Sequence, residues 1–330
     1  MINQPEVALA TRGLHKRYGT QQALNGLDLT VPAGTVYGFL GPNGAGKTTT
    51  MRLLTGLLHA DEGTIEIFGR RFARGDRRRL FEVGALVETP SFYPYLSARA
   101  NLRELAATGA PTRPSRVDEV LELVGLRERA AEPVSRFSLG MKQRLGIAAA
   151  LLSDPRLLLL DEPTNGLDPA GIVAMREMLR HLASLGKTVF VSSHLLAEVR
   201  HMADMVGIIA SGRLVREGRI ETLLDSEGEV RVRVRPADVP RAVAILGRLA
   251  TPGSVEVPDA DTGWITVQIS TDRSEEVNLV LAQAGVYAAQ LEFGSDLEEL
   301  FLRLTNGAGV RDREGTVPRV TRMDAVTGAQ

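Results

Sequence analysis

The chain has 330 residues, no cysteine, 44% hydrophobic residues and a formal net charge of -1. This length predicts about two domains, and the lack of cysteine excludes disulfides and thiolate metal sites. The near-neutral charge provides no overall field to attract nucleic acid or an anionic surface. No apolar stretch approaches the roughly 20 residues of a membrane span. We therefore expect a soluble chain whose membrane role, if any, comes from a partner.

A phosphate-binding loop is predicted near the start of the chain. A buried strand at 35–40 leads into residues 41–48, which match G-x-x-x-x-G-K-[ST], and a helix at 48–58 follows. Glycines let backbone N–H groups turn inward around phosphate oxygens, and the helix N-terminus adds positive charge. We expect Lys47 to reach the β- and γ-phosphates and Thr48 to offer its hydroxyl to Mg²⁺. The predicted nucleotide contacts are Gly41, Pro42, Asn43, Gly44, Ala45, Gly46, Lys47, Thr48 and Thr49.

The middle of the chain changes from a helical pattern to an alternating one. Apolar residues on one face predict helices at 98–107, 116–124 and 141–152. A strand at 156–161, a helix at 171–185 and a strand at 188–192 follow. Alternation of strands and helices is typical of a parallel, doubly wound sheet. We predict an α/β fold with a helical subdomain inserted at about residues 90–153.

Two carboxylates follow the apolar run at 157–160, namely Asp161 and Glu162. A central strand needs such a run, and α/β sheets bind ligands beyond the carboxyl ends of their strands. Asp161 is expected to hold Mg²⁺ through water, and Glu162 to polarise the attacking water. An isolated pair would more often cap the turn before Pro163. The phosphate loop favours the metal-and-water interpretation.

The composition shifts after about residue 224. A strand, a helix, two strands, a helix and a strand are predicted at 229–235, 239–249, 254–257, 264–269, 274–284 and 286–293. This order suggests a small ferredoxin-like α+β domain. From residue 306 the chain is rich in Gly, Thr and Arg without periodicity, which predicts disorder. The predicted domains are therefore 5–224 and 226–305, with a disordered tail at 306–330.

The segment Phe137-Ser138-Leu139-Gly140-Met141 resembles the LSGGQ signature of ABC ATPases when it is taken together with the phosphate loop and the acidic pair. The resemblance covers about residues 7–224, and the last segment, through 297–304, resembles the accessory domain of many exporter ATPases. Ser138 alone could be an ordinary helix N-cap. A hydroxyl, a bare backbone and a helix N-terminus also form an anion site. The resemblance implies that Ser138 and Gly140 close on ATP held by a second copy.

Three more residues acquire roles from this resemblance. Tyr18 stands where the family places an aromatic that stacks on adenine. Asp168, in Asn165-Gly166-Leu167-Asp168, matches the D-loop, and His194 matches the switch histidine that senses the γ-phosphate. A lone histidine after a strand is more often structural. The preceding strand, expected beside the acidic one, favours the catalytic role for His194 together with Glu162.

The chain departs from the family pattern at two places. Leu139 replaces a signature glycine, with Met141 in place of glutamine, and Glu88 replaces the glutamine of the Q-loop. An ionised glutamate only accepts hydrogen bonds, so Glu88 could bind Mg²⁺ but adds negative charge near the phosphates. A side chain at Leu139 could crowd the backbone approach to ATP. Both departures resemble exporters of the bacitracin and lantibiotic type, among multidrug exporters.

The expected function is that of an ATPase subunit, a homodimer binding ATP and Mg²⁺, that powers a separate integral membrane permease. The resemblance implies a peripheral position at the cytoplasmic face of the membrane and export of a drug, peptide antibiotic or lipid-like cargo. An alternative is a soluble ABC ATPase acting on DNA or the ribosome, but heptads are absent and there is one phosphate loop. Nucleic acid is therefore not an expected partner. A drug-binding resistance factor ranks last, because the accessory domain lacks an obvious ligand constellation.

Overall fold

The structure is a computed structural model. It describes residues 6–72, 80–88, 90–109, 113–220, 222, 229–250, 254–269 and 273–294. The chain separates into two compact units, the first ending at Glu217 and the second beginning at Gly218. The limits inferred from the sequence, 5–224 and 226–305, stay a prediction, and the tail predicted at 306–330 lies outside the described residues.

The first unit combines strands and helices in alternation. Its strands are β1 (Val7–Tyr18), β2 (Gln21–Pro32), β3 (Val36–Leu40), β4 (Glu62–Ile67), β5 (Arg70–Arg71), β6 (Val83–Leu86), β7 (Leu157–Asp161), β8 (Thr188–Ser193), β9 (Met205–Ala210) and β10 (Arg213–Arg219). Its helices are α1 (Lys47–Leu54), α2 (Ala98–Thr108), α3 (Arg116–Leu123), α4 (Leu139–Ala150), α5 (Pro169–Ser184) and α6 (Leu196–Arg200). Among the described residues, no helix combines the length and apolar character needed to span a bilayer.

A six-stranded sheet of order β10-β9-β3-β8-β7-β6 forms the centre of this unit. The pairs from β9 to β6 are parallel. Every residue of β3 and β8 is buried, as strands covered on both faces require. Tyr37 stacks on Phe190 with ring centroids 5.3 Å apart, and Phe39 lies 5.2 Å from the same ring. The predicted parallel-sheet core is confirmed.

A second, smaller sheet packs on the same hydrophobic core. Its order is β2-β1-β4-β5, and its paired strands are antiparallel. Leu9, Leu27 and Ile67 from this sheet belong to one buried cluster with Tyr37 and Phe190 of the central sheet. β1 and β2 each extend over 12 residues.

Two predicted boundaries are wrong by four residues, and backbone geometry explains both. The first helix ends at Leu54 rather than at 58, because Gly56 has a φ of 72° and so leaves the helical region. The last predicted strand begins at Gln290 rather than at 286. The N–H of Val286 donates to Leu281 O at 2.9 Å, so Val286 closes the end of the preceding helix.

The second unit has the element order β-α-β-β-α-β. Its elements are β11 (Glu229–Arg233), α7 (Val239–Leu249), β12 (Val255–Asp259), β13 (Trp264–Gln268), α8 (Ser274–Gln283) and β14 (Gln290–Gly294). The sheet order is β12-β13-β11-β14, and all three pairs are antiparallel. Its core is separate from that of the first unit and includes Val230, Val232, Ala242, Leu246 and Leu281.

A buried arginine attaches the helical insert to the core of the first unit. Arg116, the first residue of α3, donates twice to Leu151 O, at 2.7 and 3.2 Å, just beyond α4. It also pairs with Asp154 at 2.9 Å, and Lys187 reaches the same carboxylate at 2.9 Å. The hydrogen bond from Lys187, followed by the charges of Arg116 and Lys187, lowers the pKa of the Asp154 carboxyl. This joint fixes the end of α4 against the strands that carry the site.

We expect Asp154→Asn to lower the free energy of unfolding at pH 7 by about 0.5 kcal/mol, a small value because the carboxylate is largely exposed. Asparagine tolerates the left-handed φ of 54° at this position, so the charge is the main change. A carboxyl with a depressed folded pKa stabilises above its unfolded pKa of about 3.9. The difference in free energy of unfolding between the unsubstituted chain and Asp154→Asn should therefore decrease as the pH falls through the lower folded pKa. Urea denaturation across pH 7 to 3 measures it, and a pH-independent difference would contradict the ion-pair account.

Candidate functional site

The phosphate loop crosses from the end of β3 to the start of α1 and depends on its glycines. Gly44 and Gly46 have φ values of 81° and 110°, which L side chains rarely adopt. A Cβ at Gly46 would lie 2.7 Å from Ala23 O, and one at Gly41 would lie 2.6 Å from Ile209 O. Backbone therefore approaches the loop too closely for any other residue. The remaining predicted contacts, Pro42, Asn43, Ala45 and Thr49, lie in the same loop and the first turn of α1.

Lys47 begins α1 with its ammonium turned back over the loop. Its side chain is 5% exposed, and Nζ donates to Gly41 O at 2.7 Å and to Pro42 O at 3.2 Å. Nζ also lies 3.4 Å from Glu162 Oε1. A buried charge needs such partners, and the loop carbonyls together with one carboxylate supply them. The ammonium is thus held at the mouth of the loop, where phosphate oxygens can replace these acceptors.

Asp161 faces the phosphate loop from the end of β7. Thr48 Oγ1 donates to Asp161 Oδ2 at 2.8 Å, and the Ser192 hydroxyl donates to the other carboxylate oxygen. In the described part of the chain, no cluster of three or more His, Cys, Asp or Glu side chains could cage a metal. A hydroxyl beside one carboxylate fits Mg²⁺, which prefers oxygen ligands and takes its other ligands from water and phosphates. The residues present therefore fit this metal.

Glu162 and His194 form a pair beside Lys47. His194 Nδ1 lies 3.1 Å from Glu162 Oε2. Glu162 has a left-handed φ of 46°, and its N–H donates to the carbonyl and the hydroxyl of Ser192 at 3.2 and 3.0 Å. Strained backbone persists where the surroundings determine it strongly, and it clusters at functional sites. The structure therefore brings Lys47, Thr48, Asp161, Glu162 and His194 together.

The signature residues lie at a separate place. Ser138 caps α4, accepting from the N–H of Met141 at 3.3 Å, and Asp168 caps α5, accepting from the N–H of Gly171 at 3.1 Å. Within the described residues, neither Ser138 nor Gly140 makes a hydrogen bond or ion pair with the phosphate loop. Each cap is the ordinary N-cap bond. The N-terminus of α4 is therefore left open to an anion from elsewhere.

Tyr18 and Glu88 lie beside one arginine of α1. Glu88 follows β6 with a φ of 72° and forms an ion pair with Arg52. The hydrogen bond to Glu88 raises the pKa of the Arg52 guanidinium, with a smaller contribution from Tyr18. Tyr18 ends β1 with 43% of its surface exposed. Arg52 thus balances the negative charge that Glu88 brings to this loop, while the metal role of Glu88 stays a prediction.

Sequence reasoning missed Ser192 and Arg52. Ser192 is paired with Asp161 in the parallel register of β7 and β8, which places its hydroxyl beside the Asp161 carboxylate and the Glu162 N–H. The polar Ser192-Ser193-His194 run after an apolar strand was the available signal. Arg52 carried no such signal, because its partner Glu88 lies 36 residues away in the sequence.

Together, a phosphate loop after one parallel strand and two carboxylates after the next strand but one define a P-loop nucleotide-binding protein. Residues 24–165 match the family described as "ABC transporter". The chain is 40% identical over 304 residues to the bacitracin transport ATP-binding protein BcrA of Bacillus licheniformis, covering 92% of this chain and 98% of that protein. It is 44% identical over 209 residues to the lantibiotic transport ATP-binding protein SrtF of Streptococcus pyogenes, covering 63% and 90%.

Among solved structures, CbiO1 from Clostridium perfringens, part of an ABC transporter complex, superposes with a TM-score of 0.61 at 25% identity. The superposition covers 74% of this chain and 97% of CbiO1. The chain belongs to the ATP-binding proteins of ABC transporters. It is an ATPase subunit that binds ATP. The alternative of a soluble ABC ATPase acting on DNA or the ribosome is not favoured, because the relatives matched over nearly the whole chain are transport proteins.

We expect Ser192→Ala to lower turnover and to raise the Mg²⁺ concentration needed for half-maximal activity, each by about 10- to 100-fold. This is the usual effect of losing a group that orients a metal ligand. The change removes the hydroxyl that bonds to Asp161 and accepts from the Glu162 N–H. Steady-state ATPase assays at varied Mg²⁺ concentration measure it. Ser184→Ala, an exposed hydroxyl on α5, is the matched control. Equal activity in the two variants would show that Asp161 needs no support.

Proposed function

We propose that two copies of this chain close over two ATP molecules and that their closing and reopening drive a separate integral membrane permease. The observation that carries this proposal is the 2.8 Å hydrogen bond between Thr48 and Asp161, with Glu162 and Lys47 beside it. It supports hydrolysis at the phosphate loop, because the groups needed at the γ-phosphate already lie together.

Hydrolysis needs a held phosphate and an oriented water. Lys47 binds the β- and γ-phosphates once they displace the loop carbonyls from its ammonium. Glu162 accepts a hydrogen bond from the attacking water and aligns it with the γ-phosphorus. His194 holds the Glu162 carboxylate through its 3.1 Å contact and reports whether the γ-phosphate is present. Tyr18 stacks on the adenine at the outer end of the nucleotide.

Thr48 and Asp161 are the proposed residues that hold Mg²⁺, with Glu88 at the edge of the same site. When bound, Mg²⁺ neutralises the charge that develops on the phosphate oxygens. Glu88 must leave Arg52 before its carboxylate can turn to the metal. Glu88 and Arg52 lie on the side of the site where the helical insert begins.

The signature acts on the second copy's ATP in this proposal. Ser138 and Leu139 are exposed at the start of α4, and Gly140 is partly exposed. A helix N-terminus with a hydroxyl and a bare backbone binds anions well. Because these groups do not reach their own phosphate loop, a γ-phosphate from another copy is the ligand that suits them. Asp168 and its loop lie beside the same interface.

The permease contact is proposed on the loop that follows Glu88. A cavity of about 170 Å³ is lined by Pro90, Ser91, Phe92, Pro94, Val134 and Lys142. Beside it, Tyr93 and Tyr95 are 57% and 72% exposed, with ring centroids 5.9 Å apart. Exposed aromatics grouped at a small cavity mark protein contact sites. We propose that a cytoplasmic segment of the permease occupies it and that the chain lies at the cytoplasmic face of the membrane.

The cargo is proposed from the relatives. The two named relatives carry bacitracin and lantibiotic transport in their names, and the first match extends over 92% of this chain. The match therefore includes most of the residues after Gly218, which we propose form a ferredoxin-like accessory domain. We infer export of a drug, peptide antibiotic or lipid-like molecule selected by the permease.

Glu162→Gln should leave ATP binding intact, lower turnover by at least about 100-fold and trap a dimer. Glutamine keeps the shape that contacts Lys47 and His194 but loses the charge that orients water, and loss of a catalytic base has this magnitude. ATPase assays and light scattering with ATP and Mg²⁺ measure the two effects.

The matched control is Glu177→Gln, which neutralises an exposed carboxylate on α5. It should behave as the unsubstituted chain in both assays. Light scattering that detects only monomer for Glu162→Gln at saturating ATP and Mg²⁺ would contradict the two-copy proposal.

His194→Ala should reduce turnover far more than ATP affinity. The histidine touches Glu162 and no residue of the phosphate loop among the described contacts, so the ground-state binding of ATP loses little. Turnover and the ATP dissociation constant should be measured side by side, with His181→Ala in the last turn of α5 as control. Equal losses in both quantities would show that His194 serves binding rather than the chemical step.

A further inference from the structure

The N-termini of α4 and α5 touch through two leucines and two glycines. Leu139 is the first residue of α4, and Leu167 precedes the cap of α5. A Cβ at Gly166 would lie 3.0 Å from Leu139 Cδ2, and one at Gly140 would lie 3.5 Å from Leu167 Cδ2. Each leucine therefore packs against the bare backbone of the other segment. We call these four residues the interlock.

The interlock is tight at Leu139 and looser at Leu167. A side chain at Gly166 would have to displace Leu139, and Gly166 also has a φ of 75° and is exposed. Because Leu139 already contacts the backbone at Gly166, a shift of the N-terminus of α4 toward this loop would displace Gly166. A glycine at 139 would leave Gly166 without this neighbour. The departure from the signature pattern thus creates a contact rather than merely crowding ATP.

The loop that carries Gly166 also carries the catalytic carboxylate. The N–H of Asn165 donates to Glu162 O at 3.1 Å, and the N–H of Leu167 donates to Thr164 O at 3.2 Å. These bonds make residues 162–167 one compact turn. Its other side is held by the Thr164 hydroxyl, which donates to the buried Glu198 carboxylate on α6. Motion of Gly166 therefore reaches Glu162 through a short, bonded segment.

We propose that Leu139 is a positioning residue that couples the two ATP sites of the dimer. The inference rests on the proposed function: α4 binds the partner's ATP, whereas Glu162 acts on the ATP of its own subunit. When the signature closes on the partner's γ-phosphate, Leu139 presses on Gly166 and sets the position of Glu162. Each site then becomes hydrolytically competent only when the other site is occupied.

A purely structural role predicts something different. Leu139 is 43% exposed, so its contact buries only part of the side chain and contributes little to folding. If it merely covered Gly166, truncation would cost a little stability and leave the dependence on ATP concentration unchanged. Cooperativity between the two sites is thus the quantity that separates the two roles.

Leu139→Ala is the test, measured as the full chain. The Hill coefficient for ATP hydrolysis should fall from close to 2 toward about 1, and turnover should fall at least about 5-fold, at the low end of couplings between sites. The ATP dissociation constant without Mg²⁺ should stay unchanged. Leu139→Met, which keeps a flexible apolar side chain over Gly166, should restore both values.

The matched control is Leu185→Ala, a similarly exposed leucine at the other end of α5. It should leave the Hill coefficient, turnover and melting temperature as they are. Leu139→Ala behaving like this control would overturn the inference, and so would a loss confined to ATP affinity or to melting temperature.

A second variant tests the contact itself. Gly166→Ala places a methyl group against Leu139 and strains the backbone at positive φ. In the Leu139→Ala background only the backbone strain remains, so the loss of turnover caused by Gly166→Ala should be smaller there. Additive losses would contradict the contact.

Failure of this inference can be told from failure of the proposed function. If Glu162→Gln forms no dimer with ATP and Mg²⁺, the two-copy proposal is wrong and the inference falls with it. If that dimer forms but Leu139→Ala keeps full cooperativity, only the coupling role of Leu139 is wrong.

Discussion

The parallel register of three neighbouring strands is the constraint on which the site depends. Leu40 at the end of β3 pairs with Ser193, while Asp161 at the end of β7 pairs with Ser192 of the intervening strand. The phosphate loop leaves β3 at this level, and the acidic pair leaves β7. One shift of register would move the carboxylate away from Thr48 and turn it to the other face of the sheet. The buried apolar residues of these strands prevent that shift.

The sequence was sufficient for the parts that follow from local pattern. The phosphate loop, the carboxylates after an apolar run and the helix cap at Ser138 each have a short-range signature in the sequence. Pairings between distant segments lacked such a signal. Ser192 and the Arg52–Glu88 ion pair depend on which strands and loops become neighbours, and only the fold determines that. One helix end and one strand start were predicted wrongly, where a glycine or a closing hydrogen bond ended a helix.

The residues that bind ATP in one subunit are separate from the signature residues that would complete the site. Lys47 and Glu162 lie together in one subunit, whereas the open N-terminus of α4 makes no bond to them. A site divided in this way favours a mechanism in which ATP itself completes the contact between copies. Leu139 then has a second proposed role. It connects the N-terminus of α4, which would meet the partner's ATP, to the loop that carries Glu162. In the proposed mechanism Leu139 affects how the site is regulated, while Lys47, Thr48 and Asp161 carry its chemistry.

The division of the site between two copies can be measured directly, because the chain has no cysteine of its own. Asn43 is exposed on the phosphate loop and Arg136 is exposed just before the signature, so Asn43→Cys and Arg136→Cys each introduce one accessible thiol. In the Glu162→Gln background, two differently tagged copies carrying one cysteine each should be joined by a short thiol cross-linker only when ATP and Mg²⁺ are present. Cross-links that form equally without ATP, or none at saturating ATP, would contradict the account.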